Sequence, residues 1–416
     1  MTEVVDDDGR PRVAVVLSGA GARGAFQAGA LSVLVPALEA RGLRPTVWLG
    51  TSAGSINAAL WGACAHLEAP AAAERTLAVW RAMGSADVYA PVPLSLGHAL
   101  TQYAAGALVG RGTGTTSLLD TAPLQRTARR HLDPQQLAAN VADGTLDAVG
   151  VVATRMPSQA DDAVEGAASG RSLLFLDEHE AGGYAGDPAR ALDVVRGPVG
   201  VEHVLASSAI PVAFPPVRIT TPESAAGWYT DGGVRLNTPL QPAVGLGATM
   251  IVLVSATSTS YRPPPPPGPA GPTPDIADAA AQVLNATLAD RTTEDLAGLR
   301  RINRLVAQAS RPGVPDPLTA SSGRPYRHVD VLAVSPPPGE MGRLAQRIHE
   351  ERTGGLGRLG EADNWLLGKA LRGAGDGVGR RELLSYLFFD AAYFSAGIEL
   401  GARSAAAALA DADADQ

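Results

Sequence analysis

The chain has 416 residues, 45% of them hydrophobic and 18% charged, so it can bury a large core, and one large α/β unit can absorb the length. Its net charge of −8 leaves no basic footprint for nucleic acid and no general attraction to an anionic lipid surface. A single cysteine, Cys64, excludes an internal disulfide and a Cys-rich metal site.

The first eight residues are acidic and lack an apolar h-region, so no secretory signal is expected. No apolar run reaches the roughly 20 residues of a membrane span. The expected location is the cytoplasm, with transient contact at a membrane surface. Residues 12–18 read as a β-rich strand and lead into Gly19-Ala20-Gly21-Ala22-Arg23-Gly24, after which a helix is expected to about residue 39. A second strand at 45–49 runs into Gly50-Thr51-Ser52-Ala53-Gly54 and an Ala-rich helix. Residues 69–145 suggest a helical insertion, within which the apolar stretch 94–109 reads as a lid or as packing. Strands are expected at 146–154 and 172–176, short elements over 201–242, and a doubly covered strand at 248–255.

Residues 261–275 contain five consecutive prolines, Pro263 to Pro267, and read as a stiff linker or loop. A helical run over 276–309, a strand at 328–334 and two helical runs follow. Residues 383–394 hold three of the six phenylalanines; they read as a core helix laid on the sheet, or as a wall of an acyl pocket or a membrane-touching face. The alternation of β and α signals predicts an α/β fold with a mainly parallel central sheet and helices on both faces. The expected organisation is a catalytic core over 10–260, the Pro-rich linker, and an extension over 276–410 packed on that core.

Three motifs carry chemistry. Gly50 to Gly54 is a G-x-S-x-G in its strand–turn–helix context, which holds Ser52 proud of the backbone as a nucleophile for acyl groups. Gly19 to Gly24 is a G-x-G-x-x-G between a strand and a helix. It admits two readings. A dinucleotide site requires an acidic residue about 20 positions on, closing the second strand; Glu39 falls in that interval but before the strand. An oxyanion hole requires only amides converging at a helix N-terminus. Two consecutive parallel strands bring both glycine-rich turns to one sheet edge, which favours the second reading. The third motif is Asp231-Gly232-Gly233, a turn that presents a carboxylate at a strand end. A Ser–His–Asp triad remains open through His328 or His349, the histidines that follow Asp231. The chain's sole lysine, Lys369, is the only partner for a Ser–Lys pair.

This ordered set, together with residues 206–216, Asn237 and Pro239, resembles the patatin-like phospholipase family, its bacterial members in particular. The resemblance spans roughly residues 10–256 and implies a Ser52–Asp231 dyad, with Gly50 and Gly54 shaping the elbow and Gly232 and Gly233 the turn that holds the base. It implies an oxyanion loop over Gly19, Ala20, Gly21, Ala22, Arg23 and Gly24, chiefly through the amides of Ala20 and Gly21. Ala20 stands where the family often has a third glycine, which spares a backbone donor. Arg23 either stabilises charge at the loop or a substrate headgroup, or forms a structural ion pair. Lipid or acyl-ester substrates are implied, with no cofactor and no metal. The alternative is a lipid-binding or regulatory protein on the same fold without turnover.

Overall fold

The computed structural model describes residues 11–91, 117–157, 170–180, 182–260, 291–309, 326–353 and 378–414. The first apolar run forms β1 (Val13–Leu17), buried along its whole length. Side chains alternate across a strand, so Val13, Val15 and Leu17 enter one core cluster and Ala14 and Val16 the other. A strand covered on both faces belongs inside a sheet. β1 accordingly pairs in parallel with β2 (Pro45–Thr51) on one side and β8 (Met250–Val254) on the other. β3 (Ala148–Arg155) lies parallel beyond β2, and β9 (Asp330–Val334) parallel beyond β8. β4 (Ser172–Glu178) reverses direction against β3, and β5 (Leu192–Arg196) runs parallel to β4 at the edge. The resulting order is β5-β4-β3-β2-β1-β8-β9, a mainly parallel sheet.

One face is covered by α1 (Gly24–Glu39), α2 (Ala53–Ala63), α3 (Ala69–Ala82), α4 (Ala122–His131), α5 (Pro134–Ala142) and α6 (Val201–Ser207), with α9 (Glu340–Thr353), α10 (Val378–Leu387) and α11 (Ala391–Ala414) added from the C-terminal part. The other face carries α7 (Leu240–Gly245) and α8 (Arg291–Ala309). The helix that follows the Gly50–Gly54 turn is braced by a stacked pair, Trp48 on β2 and Trp61 on α2, with ring centroids 5.6 Å apart.

The residues described within 69–145 hold α3, α4 and α5, while the stretch 94–109 and the proline run lie outside the described residues. Of the helix expected over 276–309, residues 291–309 are helical and 276–290 lie outside the described residues. Two helical runs were expected after β9; among the described residues α9, α10 and α11 stand there. The split occurs inside the aromatic stretch 383–394, which turns a corner instead of forming one helix: α10 and α11 meet at 103°. Asp390 is the physical cause. Its Oδ1 accepts the N–H groups of Ala392 at 2.8 Å and Tyr393 at 3.2 Å, an N-cap that starts a new helix. Among the described residues no single helix is long and apolar enough to cross a membrane. The apolar face of α11 packs on α1 so closely that a Cβ on Gly401 would lie 2.0 Å from Phe26 O, and one on Gly29 2.0 Å from Ile398 O.

Candidate active site

β2 ends at Thr51, and the chain turns at Ser52 with φ 55° and ψ −129°. A serine at positive φ is strained, and such strain persists only where the surroundings impose it. Here Gly50 and Gly54 impose it. A Cβ on Gly50 would lie 2.3 Å from Gly54 O, and one on Gly54 2.6 Å from Leu17 O. The elbow therefore closes on itself and presses against the end of β1, where no larger residue fits.

The register of the sheet brings Asp231 to Ser52. β2 follows β3 as far as Thr51, opposite Val152, and then departs into the elbow. β7 (Gly227–Asp231) takes over the same edge of β3 from the opposite direction, starting with Asp231 opposite Ala153. The two strand ends face each other across one step of β3. Ser207 fills the gap: it accepts the Ser52 N–H at 2.9 Å and donates its hydroxyl to Val152 O at 2.6 Å. Gly232 fits there because a Cβ would lie 2.2 Å from Val152 O. Ser208 Oγ lies 3.1 Å from Ser52 O. These two serines fall in the stretch 206–216, where the sequence signalled family resemblance but no role.

Ser52 and Asp231 are each only 5% exposed. Gly233 N–H donates to the Asp231 carboxylate at 2.7 Å, and the Ser52 side chain lies beside that carboxylate and favours its charged form. Burial pushes the Asp231 carboxyl up to about 6, and the Ser52 side chain and the Gly233 N–H pull against the rise. Near neutral pH the group is thus ionised, with a proton affinity well above that of an exposed carboxylate.

The glycine-rich loop lies at the end of β1, beside the elbow: a Cβ on Gly19 would lie 3.4 Å from Ser52 Cβ. The Gly19 N–H is engaged by Asn237 O at 2.9 Å, that of Arg23 by Ala20 O at 3.1 Å, and that of Gly24 by Gly21 O. The amides of Ala20 and Gly21 stand outside this carbonyl pairing. Gly21 has φ 53°, which glycine adopts without strain and which turns the loop into α1. A buried polar chain holds the loop from behind. Gln27 Nε2 donates to Ser18 O and Val254 O, Asn57 Nδ2 donates to Gly24 O, and Trp80 Nε1 donates to Asn57 Oδ1 at 2.7 Å.

Arg23 takes the structural alternative. Its side chain is 2% exposed and pairs with Glu382, donates to Ser385 Oγ and Ala256 O, and sits 3.9 Å over the Tyr386 ring. The histidines are placed elsewhere. His328 precedes the first residue of β9, hence the sheet edge opposite Ser52, where it pairs with Asp330 at 3.2 Å. His349 is buried in α9 edge-on to Phe388. Glu39 ends α1 beside Arg44, away from the end of β2 that a ribose-binding acid would occupy. Lys369 lies outside the described residues.

A cleft opens at Ser52 and is walled almost wholly by apolar groups. Ile56 comes from α2, Trp80 and Met83 from α3 and its end, Leu124 from α4, and Ile210 and Phe214 from the segment after α6. Phe389 and Phe394 complete it from the α10–α11 corner. The cleft sits outside the carboxyl ends of adjacent parallel strands, where open α/β sheets bind ligands.

No curated protein matches the chain. Among solved structures it is similar to VipD from Legionella pneumophila at 13% identity, with 96% of this chain and 88% of that one covered; the TM-score of 0.31 is too low to bear on fold or function. The family model for patatin-like phospholipases matches residues 15–244, which take in the glycine-rich loop, the elbow and the Asp-Gly-Gly turn. That match spans more than half of the sequence and agrees with the mainly parallel sheet: the chain belongs to the patatin-like phospholipase family.

Proposed function

We propose that the protein is a serine acyl hydrolase that cleaves lipid esters of the phospholipase A, lysophospholipase or esterase type through Ser52 and Asp231. The observation that carries this reading is the meeting of two buried side chains, the Ser52 hydroxyl on its strained elbow and the Asp231 carboxylate at the facing strand end, with Ser52 opening into an apolar cleft. Asp231 takes the Ser52 proton as Oγ attacks the ester carbonyl carbon. The oxyanion forms beside the amides of Ala20 and Gly21, and the N-terminal end of α1 adds positive potential. Asp231 returns the proton to the leaving alkoxide, the C–O bond breaks, and an acyl-Ser52 ester remains. Water loses a proton to Asp231, attacks the acyl carbon and releases the fatty acid, and the proton goes back to Ser52 Oγ.

A carboxylate is a weak base toward an alcohol. Two features supply the difference: burial raises the proton affinity of Asp231, and oxyanion donors carry roughly 3 to 4 kcal/mol each in comparable sites. The apolar lining suits an acyl chain and offers no charged cradle for a nucleotide phosphate.

Ser52→Ala is expected to abolish hydrolysis of p-nitrophenyl esters and of a phospholipid and lysophospholipid panel, and to abolish labelling by a fluorophosphonate, with the circular dichroism spectrum unchanged. His328→Ala is expected to keep full activity. Wild-type turnover in Ser52→Ala would falsify the assignment. A wild-type protein that neither labels nor turns over any ester would instead be a binding protein on this fold.

A further inference from the structure

The family match stops at residue 244, yet part of the cleft and the anchor of its glycine-rich loop come from residues 378–414. Arg23 closes the turn Gly21–Arg23, and its guanidinium is fully enclosed. An enclosed cation requires a partner, and α10 provides it in the Glu382 carboxylate, with Ser385 Oγ as a second acceptor at 3.0 Å from Nε. The same helix presses on the loop backbone: a Cβ on Gly21 would lie 2.5 Å from Tyr386 O. Movement of α10 thus transmits directly to the amides beside Ser52. The Ser52–Asp231 pair itself hangs from β2, β3 and β7 through Ser207. At the corner, Phe389 reaches into the cleft between Phe214, 6.1 Å away centroid to centroid, and Phe394, 6.4 Å away.

On the premise that Ser52 and Asp231 hydrolyse esters, we infer that the α10–α11 corner is a working part of this active site. Glu382 is a positioning residue that holds the oxyanion loop in place through Arg23. Phe389 is the specificity-determining residue that limits how long an acyl chain the cleft accepts. The wall, apolar with an aromatic stop at Phe389, suits the hydrocarbon chain of an acyl ester.

The test uses the full chain and a series of p-nitrophenyl esters of increasing acyl length. Glu382→Gln is expected to lower kcat by about tenfold or more with KM within about twofold, because an oxyanion contact acts on the transition state and not on ground-state binding. Its acid limb in the pH profile is expected to stay at the wild-type position, since Asp231 is not touched. Phe389→Ala is expected to move the best substrate to longer chains. Should Glu382→Gln fail to fold, Arg23→Met with Glu382→Met removes both charges and leaves no unpaired ion; the folded double variant is expected to show the same loss of kcat. Wild-type kcat in the folded Glu382 variant, or an unchanged chain-length profile in Phe389→Ala, overturns the inference while inactive Ser52→Ala leaves the proposed reaction standing. Absence of any Ser52-dependent turnover overturns both.

Discussion

Asp231 is a buried acid whose ionisation is costly, and this has two opposite consequences. Its folded pKa of about 6 lies above the ordinary value of 3.8. Activity that needs the carboxylate is therefore expected to fall as pH drops through about 6, roughly tenfold per unit below it. A kcat/KM profile from pH 4.5 to 9 on a neutral ester measures this; a limb that disappears in His328→Ala would point to a triad. For stability the sign reverses. The folded state holds this proton more tightly than the unfolded chain, so Asp231 favours folding most at low pH, and that contribution fades as pH rises from about 4 to about 6. Above that range the buried charge costs on the order of 3 kcal/mol. Asp231→Asn is accordingly expected to be inactive and yet to unfold at a higher temperature than wild type at pH 8, with the gap closing at pH 4. A lower melting temperature at pH 8 would show that the carboxylate is better stabilised than its burial suggests.

The packing of α11 on α1 is an element-scale dependence that can be measured by adding one methyl group. Gly401→Ala forces a Cβ to within 2.0 Å of Phe26 O, a backbone atom that cannot swing aside. The two helices must separate, at a cost of about 1 to 3 kcal/mol. Gly298 on α8 is the matched control. A Cβ there meets nothing within 4 Å, so Gly298→Ala is expected to be neutral or to stabilise by up to about 1 kcal/mol. Equal melting temperatures for the two variants would mean that α11 is not seated as described. These contacts also mark the limit of what the sequence disclosed. β1, β2 and β8 are continuous apolar runs flanked by glycine turns, and such local patterns were readable. So were the elbow and the turn at Asp231, because their glycines are local requirements. β6 (Val217–Ile219) and β7 are too short to show a period, and β5 carries polar residues at an edge. Arg23 with Glu382, 359 positions apart, and Ser207 with Ser52, 155 apart, are tertiary pairings that no local pattern encodes.

At the scale of the molecule, the described helices from both ends of the chain share one core cluster, which holds Leu31 of α1 together with Phe394 and Leu409 of α11. Unfolding is therefore expected to be a single transition. Cys64 gives a probe for it. The thiol is buried at the end of α2, and burial also raises its pKa, so it should resist maleimide until the fold opens. The urea midpoint for Cys64 labelling is expected to coincide with those from tryptophan fluorescence and circular dichroism. Separate midpoints would divide the chain into independent units. The handover along β3 carries a last implication, for how such a protein can change its role. Side chains along a strand alternate, so sliding β7 by a single position would set Thr230 or Gly232 opposite Ala153 in place of Asp231. One deleted codon there would take Asp231 away from Ser52 while every residue that lines the cleft kept its identity.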